Sequence, residues 1–269
     1  MIYLTGDKHQ NIFELSFKNN RFMREVTAAD TLFILGDFGV IWNWNGDTKE
    51  EAYILGWLNS QAYTTIVILG NHENWVKILN MPQIEKFGGK VRECVYGDVT
   101  YEKIFFVTEP TTLDIDGKHI LAIPGADSHD IDHLLDPAEK DFKRIRKYFN
   151  RKNIWYRIIG QSWWPQEAID INATRELLNE HELDHFDMIL THDAPAGINQ
   201  WYDYYTGFRM KSTDGELFFE ELAWTLDYDA WFHGHFHFDG AWVEHNYNLK
   251  VRNYWYRMGC LYHDVIGVD

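Results

Sequence analysis

Four apolar residues in a row, Ile66-Val67-Ile68-Leu69, stop abruptly at Gly70 and hand over to an amide, an imidazole and a carboxylate, Asn71-His72-Glu73. A run this short, apolar and rich in β-branched residues reads as a strand buried on both faces. Open α/β sheets bind ligands beyond the carboxyl ends of such strands, so polar side chains delivered there point to a sheet whose rim carries chemistry. One such junction could equally be an Asn-rich turn leading into an ordinary helix. The pattern, however, recurs.

Ile2-Tyr3-Leu4 runs into Gly6-Asp7-Lys8-His9, and Thr31-Leu32-Phe33-Ile34-Leu35 runs into Gly36-Asp37-Phe38-Gly39. Further on, Phe186 to Leu190 leads to Thr191-His192-Asp193, and Ala230-Trp231-Phe232 leads to His233-Gly234-His235-Phe236-His237. A lone Asp-x-His or His-x-His is more often structural than a ligand. Strand after strand ending in Asp, Asn or His beside Gly or Thr is not explained that way. Helices are predicted between the first three strands, at Ile12 to Arg24 and at Thr48 to Asn59 with Asp47 as N-cap. Strand–helix–strand alternation predicts parallel pairing with right-handed crossovers.

From Gly88 the rhythm shortens. Lys90 to Tyr96, Ile104 to Thr108, Thr112 to Ile115 and His119 to Ile123 read as antiparallel strands, with Asp116-Gly117 as a hairpin turn. The polar loop Pro124 to Asp130 is expected at the same rim. Further helices are predicted from Pro137, capped by Asp136, to about Asn150, from Pro165 to His181, and from Gly215, capped by Asp214, to Leu226. Ala241 to Glu244 and Leu249 to Met258 read as a terminal hairpin.

Length alone, at 269 residues, admits one large domain or two small ones, but no linker, repeat or low-complexity tract divides the chain. A net charge of −16 argues against non-specific binding to nucleic acid or anionic membrane. The local exception is a basic stretch, Lys140, Lys143, Arg144, Arg146, Lys147, Arg151, Lys152 and Arg157, which reads first as a solvated helix face. Only two cysteines, Cys94 and Cys260, and an N-terminus without a basic or apolar leader make the cytoplasm the expected compartment. No apolar run approaches the roughly 20 residues of a membrane span.

The strand ends together deliver Asp7, His9, Asp37, Asn71, His72, His192, His235 and His237. Imidazoles with carboxylates suit Mn, Fe, Zn, Co or Ni rather than Ca. The set suffices for two metals sharing a carboxylate, and two ions about 3.5–4 Å apart clamp the attacking and leaving oxygens of a displacement at phosphorus.

In these motifs the chain resembles the calcineurin-like metallophosphoesterases: Asp7-Lys8-His9, Gly36-Asp37-Phe38-Gly39, Gly70-Asn71-His72-Glu73, His192 and Gly234-His235-Phe236-His237 stand in the family's order. Gly125-Ala126-Asp127-Ser128 and Trp163-Trp164-Pro165-Gln166-Glu167 resemble a bacterial and phage branch, in which the two lie closer together. The resemblance implies a single domain over residues 1–269 with a helical basic insertion at about 131–156. It implies a four-layer αββα sandwich, two mixed β-sheets flanked by helices. It further implies two divalent cations, Mn foremost: Asp7, His9 and His237 on the first, Asn71, His192 and His235 on the second, Asp37 bridging, and a hydroxide between them as nucleophile. His72 would stabilise the phosphoryl oxygens or protonate the leaving group. One departure stands out. Val40 occupies the place where the family often carries an Asp that orients this histidine, and no Arg follows it. Asp193 is a candidate orienting partner, and Arg157 and Arg209 are candidate phosphate ligands.

Three functions are compatible with these residues. The first is a phosphomonoesterase or phosphodiesterase acting on a small phosphoester or a phosphoprotein. The second is a nuclease or nucleotide phosphodiesterase, with Trp42, Trp44, Trp75, Trp201 and Tyr202 stacking bases, which the net charge opposes. The third is a non-catalytic binding module, which the intact ligand set and His72 oppose.

Overall fold

The computed structural model describes residues 1–16, 18–20, 24–128, 131–198, 211–237, 239–241, 258–261 and 265–268. Its strands, in chain order, are β1 (Ile2–Gly6), β2 (Thr31–Leu35), β3 (Thr64–Ile68), β4 (Gln83–Lys86), β5 (Gly89–Tyr96), β6 (Val99–Val107), β7 (Thr111–Ile115) and β8 (Lys118–Ile123). There follow β9 (His133–Leu135), β10 (Tyr156–Ile158), β11 (His185–Thr191), β12 (Asp227–His233), β13 (Gly240–Ala241), β14 (Met258–Cys260) and β15 (Ile266–Val268).

Seven strands form one sheet, in the order β15-β1-β2-β3-β6-β5-β4, and six form a second, β13-β14-β12-β11-β8-β7. Both sheets are mixed. β1, β2, β3 and β6 run parallel, as do β8, β11, β12 and β14, while antiparallel strands close the edges. The strands predicted over Lys90–Tyr96 and Ile104–Thr108 therefore extend the first sheet, and the second begins only at the β7–β8 hairpin. Its Asp116-Gly117 turn has positive φ at both residues (53° and 77°), as a two-residue hairpin loop requires.

Alternation along the strands sorts the core into layers. Ile2, Leu4, Phe33, Leu35, Ile66 and Ile68 meet Leu113, Ile120, Met188 and Leu190 between the sheets. Their neighbours Leu32, Ile34, Val67 and Leu69 face outward against Leu55, Leu58 and Ile78 of the helices α1 (Lys49–Asn59) and α2 (Trp75–Leu79). On the opposite side Leu121, Ile123, Ile189 and Trp231 pack against Phe218, Phe219 and Leu222 of the helix Asp214–Thr225. A strand covered on both faces must be apolar at every position, which is why these strands read as unbroken hydrophobic runs. The result is the expected sandwich of two mixed sheets flanked by helices.

Helix boundaries depart from expectation. Where one helix is expected over Ile12 to Arg24, Ile12–Leu15 is a 3-10 turn ended by Ser16 in extended conformation, and residues 17 and 21–23 lie outside the described residues. The helix α1 is capped by Thr48, whose hydroxyl accepts from Glu51 N, while Asp47 instead pairs with Lys77 at 2.8 Å. Thr213, not Asp214, caps the later helix through a capping box with Glu216. Asp136 holds a local turn by accepting from Ala138 N, and the basic helix α3 starts only at Phe142 and runs to Lys152. The stretch Pro165–His181 splits into a 3-10 turn, Pro165–Glu167, and the helix α4 (Ile171–Glu180), because Ala168 is extended and Asp170 caps anew. β13 and β14 pair antiparallel, and the rest of the predicted terminal hairpin lies outside the described residues.

Within and beside residues 131–156, where an insertion is expected, β9 and β10 form a separate two-stranded sheet. β9 and β10 pair in parallel, and Phe149 of α3 stacks on His133 of β9. No residue of α3 is buried, as a solvated basic face requires. Among the described residues no helix is long and apolar enough to cross a membrane.

Candidate metal centre

The loops following β1, β2, β3, β11 and β12 converge at one rim, and two groups of side chains form there. Asp7, His9, Asp37 and His237 bring one ligand atom each within 4.8 Å of the others, as do Asp37, His192 and His235. Asp37 belongs to both groups. Asn71 joins the second, with Oδ1 3.2 Å from His192 Nε2.

Local backbone explains how. A Cβ on Gly36 would stand 2.1 Å from His192 Nδ1, and one on Gly70 would stand 2.5 Å from His192 Cδ2 and 2.7 Å from Asp37 Oδ1. Glycine at these strand ends lets the backbone close around the His192 ring. His9, Asp37, His235 and His237 all have positive φ (42°, 47°, 70° and 54°), a region that costs a non-glycine residue free energy and that collects at functional sites. The turns are pinned from below by Glu73, which is fully buried and accepts from Gly70 N at 2.8 Å and Gly39 N at 3.3 Å.

The polar contacts define the electrostatics. Both Asp7 oxygens accept from His235 N, at 3.0 and 2.9 Å, and Asp37 Oδ1 accepts from His72 N at 2.9 Å. His192 Nδ1 lies 2.7 Å from the Leu35 carbonyl, which fixes its proton there and leaves Nε2 facing the site. Burial pushes the Asp7 carboxyl well above its usual range, with Asp37 adding to it. Burial acts on Asp37 too, but His192, His72 and His9 outweigh it and hold that carboxyl well below. For His192, burial opposes charge, yet Asp37 and Asp7 prevail and lift its pKa to about 10.

These groups fit divalent cations. Buried carboxylates need a compensating charge. His9 Nε2 lies 3.0 Å from His237 Nε2, and His235 Nδ1 lies 3.2 Å from His192 Nε2. Such spacings suit nitrogens about 2.0–2.1 Å from a shared cation.

His72 stands beside the two groups. Trp42 stacks on its ring, with centroids 5.6 Å apart and planes at 25°. Arg157, 6% exposed, reaches in from β10 and places Nη2 2.8 Å from His72 Nε2, while Nη1 donates to the Asn71 and Ser162 carbonyls at 3.3 Å. Val40 is buried in the core, and Asp193 is buried on the turn after β11, its Oδ1 accepting from Ala194 N. Arg209, Trp201 and Tyr202 lie outside the described residues. Trp75 is a core residue, 3% exposed, whose indole N–H donates to Gly70 O.

Sequence alone gives three contributors no role at the metal centre, with Trp42 read only as one of several base-stacking aromatics. Trp42 sat in an aromatic loop with nothing to mark it out from Trp44. Ser128 and Glu167 belong to the two segments resembling one branch, and here they meet: Ser128 Oγ donates to Glu167 Oε1 and accepts from Asn71 Nδ2 at 3.1 Å.

A double-sheet sandwich with carboxylates, imidazoles and an amide gathered at one rim forms a candidate centre for divalent metal. The chain belongs to the calcineurin-like phosphoesterase family, whose model matches residues 1–239. No curated protein matches it.

Proposed function

We propose that this chain is a dinuclear metal-dependent phosphoester hydrolase, acting in the cytoplasm on a small phosphoester, with manganese as the leading candidate for both cations. The observation that carries the reading is Asp37, buried and shared between the two ligand groups. Asp7, His9 and His237 would hold one cation, Asn71, His192 and His235 the other, and Asp37 both. Bound there, the pair supplies Lewis acidity toward phosphoryl oxygens and a nucleophile at neutral pH.

The chain's own residues supply the rest. A guanidinium can only donate, so in its contact with Arg157 the Nε2 of His72 accepts, and the imidazole carries its proton on Nδ1. A phosphoryl oxygen also only accepts, so Arg157 can donate to it directly, while His72 can join that grip only through Nδ1–H or once protonated at Nε2. Arg157 thereby supplies the cation missing after the second motif, and a planar fork suits phosphate. The Trp42 stack holds the imidazole plane.

Substrate selection is read from the cavity beside Trp42. It has a volume of about 430 Å³ and is lined by Trp42, Trp44, Asn43, Gln10, Gln161 and Ser162, with Glu50 and Glu51 at one side. Indoles, amides and a hydroxyl without a lysine or arginine suit a compact, uncharged organic group on the phosphate, rather than a polyanionic strand. The same cavity and the net charge weigh against the nuclease reading.

The test is metal analysis of purified protein combined with hydrolysis of an aryl phosphate. Two equivalents of Mn per chain and turnover abolished in Asp37→Asn are expected. A single equivalent, or wild-type turnover in D37N, refutes the reading.

A further inference from the structure

We infer that Ser128 and Glu167 form a polar relay that sets which end of the Asn71 amide faces the metal centre, making both of them positioning residues for the second cation. The inference rests on the dinuclear reading above.

An asparagine amide has two chemically opposite ends of nearly the same shape. Only Oδ1 can bind a cation, and Nδ2 would present hydrogens to it. Something must therefore break the symmetry, and a chain of hydrogen bonds with a fixed direction does so. Glu167, 1% exposed, accepts at Oε1 from the Ser128 hydroxyl. A serine hydroxyl has one hydrogen, and this contact uses it. Toward Asn71 the Ser128 oxygen can then only accept, and it does so from Nδ2 at 3.1 Å. Oδ1 is left pointing at His192 Nε2, 3.2 Å away, among Asp37, His192 and His235. Burial pushes the Glu167 carboxyl up to about 8, against the Ser128 hydrogen bond and the Arg157 charge. Ionised, Glu167 can only accept from Ser128, which fixes the direction of the relay; in the neutral acid the direction holds when the proton sits on Oε2 and not on Oε1.

The backbone around the relay is built to hold it. Ala126 N donates to Glu167 O at 2.7 Å, joining the loop after β8 to the 3-10 turn Pro165–Glu167. Gly125 N donates to Leu69 O at 2.8 Å, tying the same loop to the strand end that precedes Asn71. A Cβ on Gly125, whose φ is +106°, would meet Glu167 O at 2.8 Å, so only glycine allows this approach. On the far side Arg157 Nη1 donates to the Asn71 carbonyl, fixing its backbone as well. The two sequence segments thus form one clasp around a single amide.

The experiment is calorimetric titration of metal-free full-length protein with Mn, comparing wild type with Ser128→Ala, Ser128→Thr and Glu167→Gln. In E167Q the new amide can donate to Ser128, which frees the hydroxyl to donate toward Asn71 and invites the amide to turn over. Weakening of the second equivalent by about 10–100-fold in S128A and E167Q is expected, the range typical of groups that orient a metal ligand. S128T, which keeps the hydroxyl, should bind as wild type, and the metal-free melting temperatures of all four proteins should agree. Wild type binding two equivalents, with S128A and E167Q binding both as tightly, overturns the relay alone. Wild type binding a single equivalent overturns the dinuclear reading and the relay with it.

Discussion

Arg157→Gln isolates the charge at the site from the packing around it. Arg157 is almost fully buried, and the contacts of its guanidinium include the His72 imidazole and the main-chain carbonyls of Asn71 and Ser162. Glutamine keeps one donor group and much of the stem, so a carbonyl contact can survive while the cation is lost. If Arg157 and His72 grip the phosphoryl oxygens together, the loss resembles removal of one preorganised donor from a transition state. That costs about 10²–10³ in kcat, or about 2.7–4 kcal/mol. KM should change far less, because the interaction strengthens as charge develops. Arg157→Lys should fall between, since an ammonium restores charge without the planar fork. The assay is steady-state hydrolysis of an aryl phosphate with saturating Mn, with metal content measured on the same samples because Arg157 also holds the Asn71 backbone. R157Q with full metal and a kcat within about threefold of wild type would refute the assignment of Arg157 to phosphoryl contact.

Other perturbations test the surrounding argument. Gly70→Ala would drive a methyl to within 2.5 Å of the His192 ring, so Mn binding should be lost while the far-ultraviolet circular dichroism stays that of the wild type. Trp44→Ala should raise KM several-fold for aromatic phosphoesters but leave small alkyl phosphates unaffected, measured by the same kinetics; Trp44 is 54% exposed, so the fold should not suffer. The Asp30 carboxyl tends upward by burial, but the Thr27 N–H and O–H and the Met1 ammonium outweigh this and hold it below its usual value. Its contribution is therefore complete above the unfolded-state pKa and drains away as pH falls through the lower native one. Melting temperature against pH should accordingly drop less steeply below about pH 4 in Asp30→Asn than in wild type.

Much of the site was legible because the strands that carry it are covered on both faces, so their ends stand out as sudden changes from apolar to polar. Ile68-Leu69-Gly70-Asn71 is the clearest case. Gly36 and Gly70 have a steric reason, closure of backbone on the His192 ring, that leaves a mark in the sequence. Helix starts were less legible. Thr48 and Asp47, or Thr213 and Asp214, are neighbouring residues that both cap well, and the choice depends on which one the approaching chain leaves in extended geometry. Ile12 and Leu15 have helical spacing and are buried in the core, but Ser16 in extended conformation ends the helix after one turn. Arg157 was one cation in a basic run. What singles it out is the pairing of β10 with β9, three residues each, which turns it inward while its neighbours stay in solvent. That contact is tertiary, and no local pattern encodes it.

The proposed ligands are drawn from both sheets: Asp7, His9, Asp37 and Asn71 extend from the first, His192, His235 and His237 from the second. Cations seated among them would act as bolts through the sandwich at one edge. Folding and loading are then thermodynamically coupled, because the unfolded chain offers no such cage. A chelator would weaken the whole molecule as well as silence it, and the melting temperature would climb with the logarithm of free metal.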